Sequence, residues 1–185
     1  MEDAPVLETI VTTITPEGSV NCAAMGVEWG EQQIVIKPFR GTRTLRSLRA
    51  TPAAVVNLTD DILLFSQAAL GDPHPPTRPA AHVEGAILDD ACSWREVRVE
   101  AIDDSGPRAR ITTTVVGGGT GRAFLGFNRA CHAVLEASIV ASRASRLPEE
   151  YVRAELDRLQ VLVDKTAGPR ERQAMAYVRA VVGDL

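Results

Sequence analysis

Basic and hydroxyl side chains gather in one short stretch of this 185-residue chain, and their types and spacing are those of an anion site. No Asp or Glu occurs in residues 32–59, although the chain carries 24 acidic residues. The stretch contains Lys37, Arg40, Thr42, Arg43, Thr44, Arg46 and Arg49. Guanidinium groups bind two oxygens of a phosphate at once, and free amides at a helix N-terminus add donors. We therefore predict a phosphate seat where Thr42 caps a short helix over 43–50, and a solvated helix face remains the alternative.

A second candidate lies in the predicted strand over 20–27, where small residues leave the backbone open. Its members are Ala24, Met25, Gly26 and Val27. A flat heterocycle can approach a strand closely where no large side chain intervenes, and backbone N–H and C=O groups can then bind its edge. A tightly packed sheet or a β-bulge explains the same residues equally well.

Polar residues in and after the apolar segment 53–59 form a third candidate. Asn57 interrupts the apolar run, and a buried amide needs hydrogen-bond partners. Those partners are either a ligand or a neighbouring loop. Asp60 and Asp61 follow the segment, where adjacent carboxylates usually cap a helix or face water.

The elements that must position these residues change character near residue 122. Before it, short β-branched segments alternate with turns, which is typical of an antiparallel barrel or sandwich. The segments are 7–14, 20–27, 33–37, 53–59, 95–102 and 108–116. After residue 125, apolar residues recur at helical spacing in three successive segments. The sequence therefore predicts an α+β chain, with a β domain followed by a helical subdomain.

Two irregular segments interrupt this pattern. Residues 71–79 hold four prolines and predict an extended surface loop, because proline does not fit a central strand or helix. Residues 117–121, Gly-Gly-Gly-Thr-Gly, lack the Lys and Ser or Thr of a phosphate-binding loop, and Arg122 replaces the last glycine of a dinucleotide motif. We interpret residues 117–121 as a flexible hairpin or linker.

Composition argues against several classes of function. A net charge of −4 disfavours a general nucleic-acid binder, and an aromatic content of 4% leaves few stacking platforms. The three cysteines match no zinc spacing, and we predict no metal site. The acidic N-terminus is unlike a signal peptide, and no apolar run is long enough to span a membrane. We therefore expect a cytoplasmic protein with reduced thiols and no membrane partner.

The order of these pieces resembles the FMN-binding split-barrel flavoproteins with a flavin reductase-like barrel. Four segments carry the likeness: ETIVTT at 8–13, NCAAMGV at 21–27, KPFRGTRT at 37–44 and VNLTDD at 56–61. More narrowly, the chain resembles the family called domain of unknown function 447, and residues 128–130 and 134–137 are similar to that family's C-terminal region. The resemblance implies an antiparallel split β-barrel over 1–122, followed by a helical C-terminal subdomain over 123–185.

The same resemblance implies FMN, bound non-covalently at a homodimer interface. It assigns the phosphate to Lys37, Arg40, Thr42, Arg43 and Thr44. It assigns the flavin ring to Ala24, Met25, Gly26 and Val27, with Asn57 and Asp60 as polar contacts. Where this chain has Cys22 and Ala24, the family pattern has Ala and Pro, which leaves the fine geometry of that strand open.

The function that the resemblance implies is a flavin-dependent oxidoreductase that acts on a small molecule through hydride transfer at flavin N5. One alternative is a dimeric module that binds flavin or senses a ligand without turnover. Another is a dimeric scaffold whose arginines meet acidic partners and bind no flavin.

Overall fold

Within residues 4–183, which the computed structural model describes, a closed antiparallel barrel forms the centre of the first of two compact units. The strands of this unit are β1 (Val6–Ile14), β2 (Val20–Glu28), β3 (Gln33–Ile36), β4 (Ala53–Leu58), β5 (Thr77–Pro79), β6 (Ala86–Leu88), β7 (Ser93–Asp103) and β8 (Arg110–Thr120). The barrel order is β1-β2-β3-β8-β7-β4, and β5 pairs with β6 in a separate two-stranded sheet. The predicted α+β class with an antiparallel barrel is confirmed.

The two units divide the chain discontinuously. Of the described residues, the first unit comprises 4–59 together with His74–Ala123, and the second comprises Asp60–Pro73 together with 124–183. Segment 60–73 therefore belongs with the helical unit. The sequence predicts a boundary between two domains at residues 122 and 123, and this boundary stays a prediction.

A hairpin of β1 and β2 begins the barrel because a tight turn follows Ile14. Thr15 N donates to Ser19 O at 2.8 Å, and Gly18 takes a φ of +83°, which favours glycine. Side chains alternate between the two faces of each strand, so one face fills the barrel. Helix α1 (Arg43–Ala50) adds Leu45 and Leu48 to this core. The core also contains Val11, Val27, Ile34, Ile36, Ala54, Val56, Val97, Ala109 and Ile111.

The glycine-rich segment 117–121 is not the flexible hairpin or linker that we predicted, and this prediction is wrong. Residues 117–120 belong to β8 and pair with β7. Glycine is needed there because other groups approach the strand too closely for a side chain. A Cβ on Gly119 would lie 2.5 Å from the Trp94 ring, and one on Gly118 would lie 2.6 Å from the Trp94 carbonyl oxygen.

The proline-rich segment 71–79 ends in strand β5, so the predicted surface loop covers only its earlier part. Residues 77–79 pair with β6, opposite Leu88, Ile87 and Ala86. Proline fits this strand because β5 has a neighbour on one side only, and an edge strand tolerates a missing N–H donor.

Helices make up the second unit. They are α2 (Ile62–Leu70), α3 (Arg129–Ala141), α4 (Glu149–Thr166) and α5 (Pro169–Gly183). The three helices predicted after residue 125 are present, and α2 was not predicted. Helices α3, α4 and α5 pack on one another, while α2 packs on α3 and α5. None of the helices in residues 4–183 is both long and apolar enough to cross a membrane.

Candidate functional site

The N-terminus of α1 is built by a glycine and a capping threonine. Gly41 takes a φ of +78°, and Thr42 follows it in an extended conformation. The Thr42 hydroxyl donates to Phe39 O at 2.8 Å and accepts from Leu45 N at 3.4 Å. The predicted cap and the predicted helix over 43–50 are therefore present. The first amides of a helix have no intrahelical acceptor, so this end can face an anion.

The buried side of α1 carries two hydroxyl groups close to this end. Thr44 is 3% exposed, and its Oγ1 accepts from Asn21 Nδ2 at 3.2 Å. Within residues 4–183, no group accepts the hydrogen of the Thr44 hydroxyl. Ser47 lies one turn further along, and its fully buried Oγ has no hydrogen-bond partner among the described residues. A buried hydroxyl that is not fully hydrogen-bonded costs free energy, so the hydrogen of Thr44 and the Ser47 hydroxyl favour a polar ligand on this side of the helix.

Lys37, the first cation of the predicted phosphate seat, is held by an acidic residue of β2. It forms an ion pair with Glu28, whose other carboxylate oxygen lies 2.9 Å from Arg110 Nη2. Hydrogen bonds from Arg110 and then from Lys37 hold the pKa of Glu28 below its ordinary value. Two cations share one carboxylate here, so positive charge remains in excess.

The four arginines of the acid-free stretch 32–59 differ in their contacts. Arg40 donates to the main-chain oxygen of Asp104, and Arg49 forms an ion pair with the Asp104 carboxylate. Asp104 lies in the turn between β7 and β8. Arg43 and Arg46 are exposed, and the Arg46 side chain forms no hydrogen bond or ion pair within the part of the chain that the structure describes. Arg46 is therefore the best-placed of the four for an incoming anion, and Arg43 lies exposed in the first turn of α1.

The predicted ring-binding strand lies in β2, paired with β1. Ala24, Met25 and Gly26 are half-buried and stand opposite Ile10, Thr9 and Glu8 respectively. Met25 and Val27 pack against the barrel core, so Ala24 and Gly26 face outward.

Gly26 is already closely approached from one side. A Cβ on Gly26 would lie 2.7 Å from Val6 Cγ1 and 3.0 Å from Glu8 Oε1. Side chains of β1 therefore account for the glycine, as the tightly packed sheet requires. The outward backbone at Ala24 remains partly exposed.

Asn57 is fully buried, and its amide is used by the protein itself. Its Nδ2 donates to Ile10 O at 3.1 Å and to Thr12 Oγ1 at 3.2 Å. Its Oδ1 accepts from Leu88 N at 3.0 Å. Of the two alternatives for Asn57, the geometry corresponds to the one in which neighbouring protein segments satisfy the amide.

Asp60, the remaining predicted contact, belongs to the helical unit, unlike the other predicted residues. Its Oδ2 accepts from Leu125 N at 3.1 Å. Asp61 caps α2 through Leu64 N at 3.1 Å and pairs with Arg170. The adjacent carboxylates therefore act on the backbone and on an arginine. Within residues 4–183, no cluster of three His, Cys, Asp or Glu side chains is arranged to hold a metal ion.

Sequence reasoning missed the roles of Asn21, Glu28 and Ser47. Asn21 precedes the small-residue run of β2 and stands opposite Thr13 in the β1–β2 register. A signal was present, because Asn21, Ala23, Met25 and Val27 share one face of a strand. A polar residue on that inward face needs partners. The partner on α1 lies 23 residues away, which a local pattern does not show.

The closed six-stranded antiparallel barrel has the fold of the flavin reductase-like split barrels. The chain belongs to the family called protein of unknown function DUF447. The model of that family's N-terminal domain matches residues 7–122, and a second DUF447 model matches residues 128–180. The resemblance noted from the sequence is thereby confirmed.

Solved structures share this fold. The FMN-bound protein MM1853 from Methanosarcina mazei, of the same family, is 19% identical with a TM-score of 0.84, and the alignment covers 97% of this chain and 96% of that one. The flavin reductase HpaC, complexed with NADP+, is 21% identical with a TM-score of 0.53 over 66% of this chain and 82% of that one. An FMN-binding protein from Thermus thermophilus with bound p-hydroxybenzaldehyde is 13% identical with a TM-score of 0.55, over 65% and 75% respectively. At these identities the likeness shows the fold.

Proposed function

We propose that this protein binds FMN non-covalently and seats the phosphate at the N-terminus of α1. The observation that carries the proposal is the combination of Thr44, Arg43 and Arg46 at that end of the helix. Thr44 has a buried hydroxyl whose hydrogen has no acceptor in residues 4–183, and the two arginines are exposed. The FMN-bound relative in the same family supports the choice of ligand.

The residues present fit a phosphate group. A dianionic phosphate needs several donors and no nearby carboxylate, and residues 32–59 contain no Asp or Glu. Helix amides, a threonine hydroxyl and guanidinium groups are all donors of the required kind. Lys37, which shares Glu28 with Arg110, and Arg40, which donates to the Asp104 main chain, would add further positive charge to the seat.

We assign the flavin ring to β2 at Ala24, Met25, Gly26 and Val27, on the side of the strand where Ala24 and Gly26 face outward. Ala24 presents backbone with only a methyl side chain, so a planar ring can approach it. Asn57 and Asp60 stay in the proposal as polar contacts, although each has a protein partner in this structure. We further propose that a second copy of the chain completes the site, so that the protein is a homodimer located in the cytoplasm.

The proposed activity is that of a flavin-dependent oxidoreductase acting on a small molecule. Bound flavin supplies hydride transfer at its N5. The chain's own residues hold the phosphate, align the ring along β2 and leave one face of it to a reductant or substrate. HpaC, a flavin reductase solved with NADP+, shares the barrel and makes a nicotinamide donor the first one to try.

The absorbance spectrum of freshly purified protein tests the binding proposal. A visible flavin band, with release of a molecule of FMN mass on denaturation, supports it. A colourless protein that takes up no added FMN contradicts it and favours a scaffold. Bleaching by NADH or NADPH and recovery with an acceptor support the oxidoreductase. A flavin that no donor reduces indicates the binding or sensing module instead.

A further inference from the structure

A buried asparagine ties the start of α1 to the β1–β2 hairpin. Asn21 is 5% exposed, and its Nδ2 donates to Thr13 Oγ1 at 3.1 Å and to Thr44 Oγ1 at 3.2 Å. Thr13 is fully buried in β1, and Thr44 lies in the first turn of α1. One amide group therefore contacts two threonine hydroxyls on two different elements.

The direction of these hydrogen bonds determines which part of the Thr44 hydroxyl is left for another partner. An amide nitrogen only donates, so the Thr44 oxygen accepts, and its single hydrogen is left to donate elsewhere. No group in residues 4–183 accepts that hydrogen. Side chains of a helix tilt toward its N-terminus, which is the end where the first amides are also without acceptors. An anion bound at this end of α1 would accept the hydrogen of the Thr44 hydroxyl.

We propose that Asn21 is a positioning residue that turns the Thr44 hydroxyl into a fixed donor toward the phosphate of the flavin. This inference rests on the proposed function. It goes further by assigning to a buried residue of β2 a part of the discrimination between flavin with phosphate and flavin without it. Asn21 acts through Thr44 and makes no contact with the ligand itself.

A purely structural role for Asn21 gives a different expectation. If Asn21 supports α1 by packing and through its bond to Thr13, independently of Thr44 Oγ1, its loss disturbs the whole seat whether or not Thr44 has a hydroxyl. If Asn21 acts through the Thr44 hydroxyl, its loss has no further effect once that hydroxyl is gone. A double-mutant cycle separates the two roles.

The experiment measures the dissociation constants of FMN and riboflavin by flavin fluorescence for the full chain. Their ratio, riboflavin over FMN, is the phosphate preference. We expect Thr44→Val to lower the phosphate preference about tenfold or more and Asn21→Ala to lower it several-fold, because a hydrogen bond to a charged group is lost or loosened. We expect Asn21→Ala in the Thr44→Val background to change the preference by less than about twofold, within the error of such cycles.

Thr13→Val is the matched control, because Thr13 accepts from the same amide nitrogen on the other side. It removes an equivalent buried hydroxyl and leaves Thr44 in place, so we expect an unchanged phosphate preference. Thr44→Ser keeps the hydroxyl and is expected to keep most of the preference. If Asn21→Ala does not fold, Asn21→Ser takes its place in the cycle, and thermal melting establishes folding for every variant.

The outcomes distinguish this inference from the proposed function. A wild-type protein that binds neither flavin overturns both. A wild type that prefers FMN, combined with an Asn21 effect of equal size in both Thr44 backgrounds, overturns the positioning role alone. An equal loss of preference in Thr13→Val also overturns it. Loss of the Asn21 effect in Thr44→Val, with Thr13→Val unchanged, supports it.

Discussion

Asn57 on β4 accepts a hydrogen bond from the backbone N–H of Leu88 on β6 at 3.0 Å, across 31 residues of chain. The same side chain donates to Ile10 O and Thr12 Oγ1 on β1. One fully buried amide thus joins a barrel strand to its neighbour and to the small two-stranded sheet. Buried polar groups of this kind are costly to leave without a partner.

We predict that Asn57→Ala lowers the free energy of unfolding by about 2–4 kcal/mol, because it leaves the buried Leu88 N–H without an acceptor and opens a small cavity. Urea denaturation measures the change. Asn57→Asp is the matched variant, since it keeps an acceptor for Leu88 while losing the donor to β1. A folded Asn57→Ala variant with wild-type stability would contradict the structural role, and a loss of FMN affinity in a folded variant would support the proposed contact of Asn57 with the flavin.

The arginines of α1 are expected to differ in their effect on FMN binding. We predict that Arg43→Ala and Arg46→Ala each weaken FMN about tenfold, because each removes an exposed cation near the N-terminus of α1. Arg49→Ala is the matched control, since Asp104 already holds that guanidinium. Titration at two salt concentrations gives the affinities. Equal losses for all three variants would contradict the proposed roles of Arg43 and Arg46, and riboflavin affinity is expected to stay unchanged throughout.

The local part of this site could be predicted from the sequence, and the long-range part could not. Thr42 as the cap of the helix over 43–50 depends on neighbouring residues, so pattern reasoning found it. The partner of Arg49 is 55 residues away in the β7–β8 turn, and nothing in the spacing of the arginines indicates it. The acid-free stretch was visible, but the division of its charges depends on tertiary contacts.

The same distinction holds for the fold. Short β-branched segments separated by turn residues predicted the barrel strands. Apolar residues at helical spacing predicted the change to helices after residue 125. The strand at residues 117–120 was not predicted because a run of glycines usually indicates a flexible segment. Here the glycines make room for Trp94. Helix α2 was missed because its nine residues are almost uniformly apolar and show no helical stripe.

The ion pairs of Glu28 predict a pH dependence of stability. Hydrogen bonds from Arg110 and Lys37 lower the pKa of this carboxyl in the folded protein below its ordinary value of 4.5. The stabilisation is therefore complete above about pH 4.5 and is lost as the pH falls through the lower folded value. We expect the urea midpoint to fall between pH 5 and pH 3 by less in Glu28→Gln than in wild type. An identical pH profile for the two proteins would contradict this contribution.

The thiol of Cys131 on α3 is predicted to be unreactive. Burial and the nearby Glu171 carboxylate raise the pKa of Cys131 to about 11. Only about one thiol in a thousand is then ionised at pH 8, and the thiolate is the reactive form. We expect iodoacetamide to alkylate Cys131 slowly at pH 8 and to alkylate it faster in Glu171→Gln. Mass spectrometry of the peptide that contains Cys131 measures both rates. Labelling of Cys131 at the rate of a free cysteine would contradict the effect of its surroundings.

A crystal structure of the protein with FMN tests the central claim most directly, because it locates the phosphate. We predict phosphate oxygens within hydrogen-bond distance of Thr44 Oγ1 and of the first amides of α1, with the Arg43 guanidinium beside them. The flavin ring is expected along β2 at Ala24–Val27. FMN bound elsewhere, with the N-terminus of α1 facing only solvent, would contradict the account.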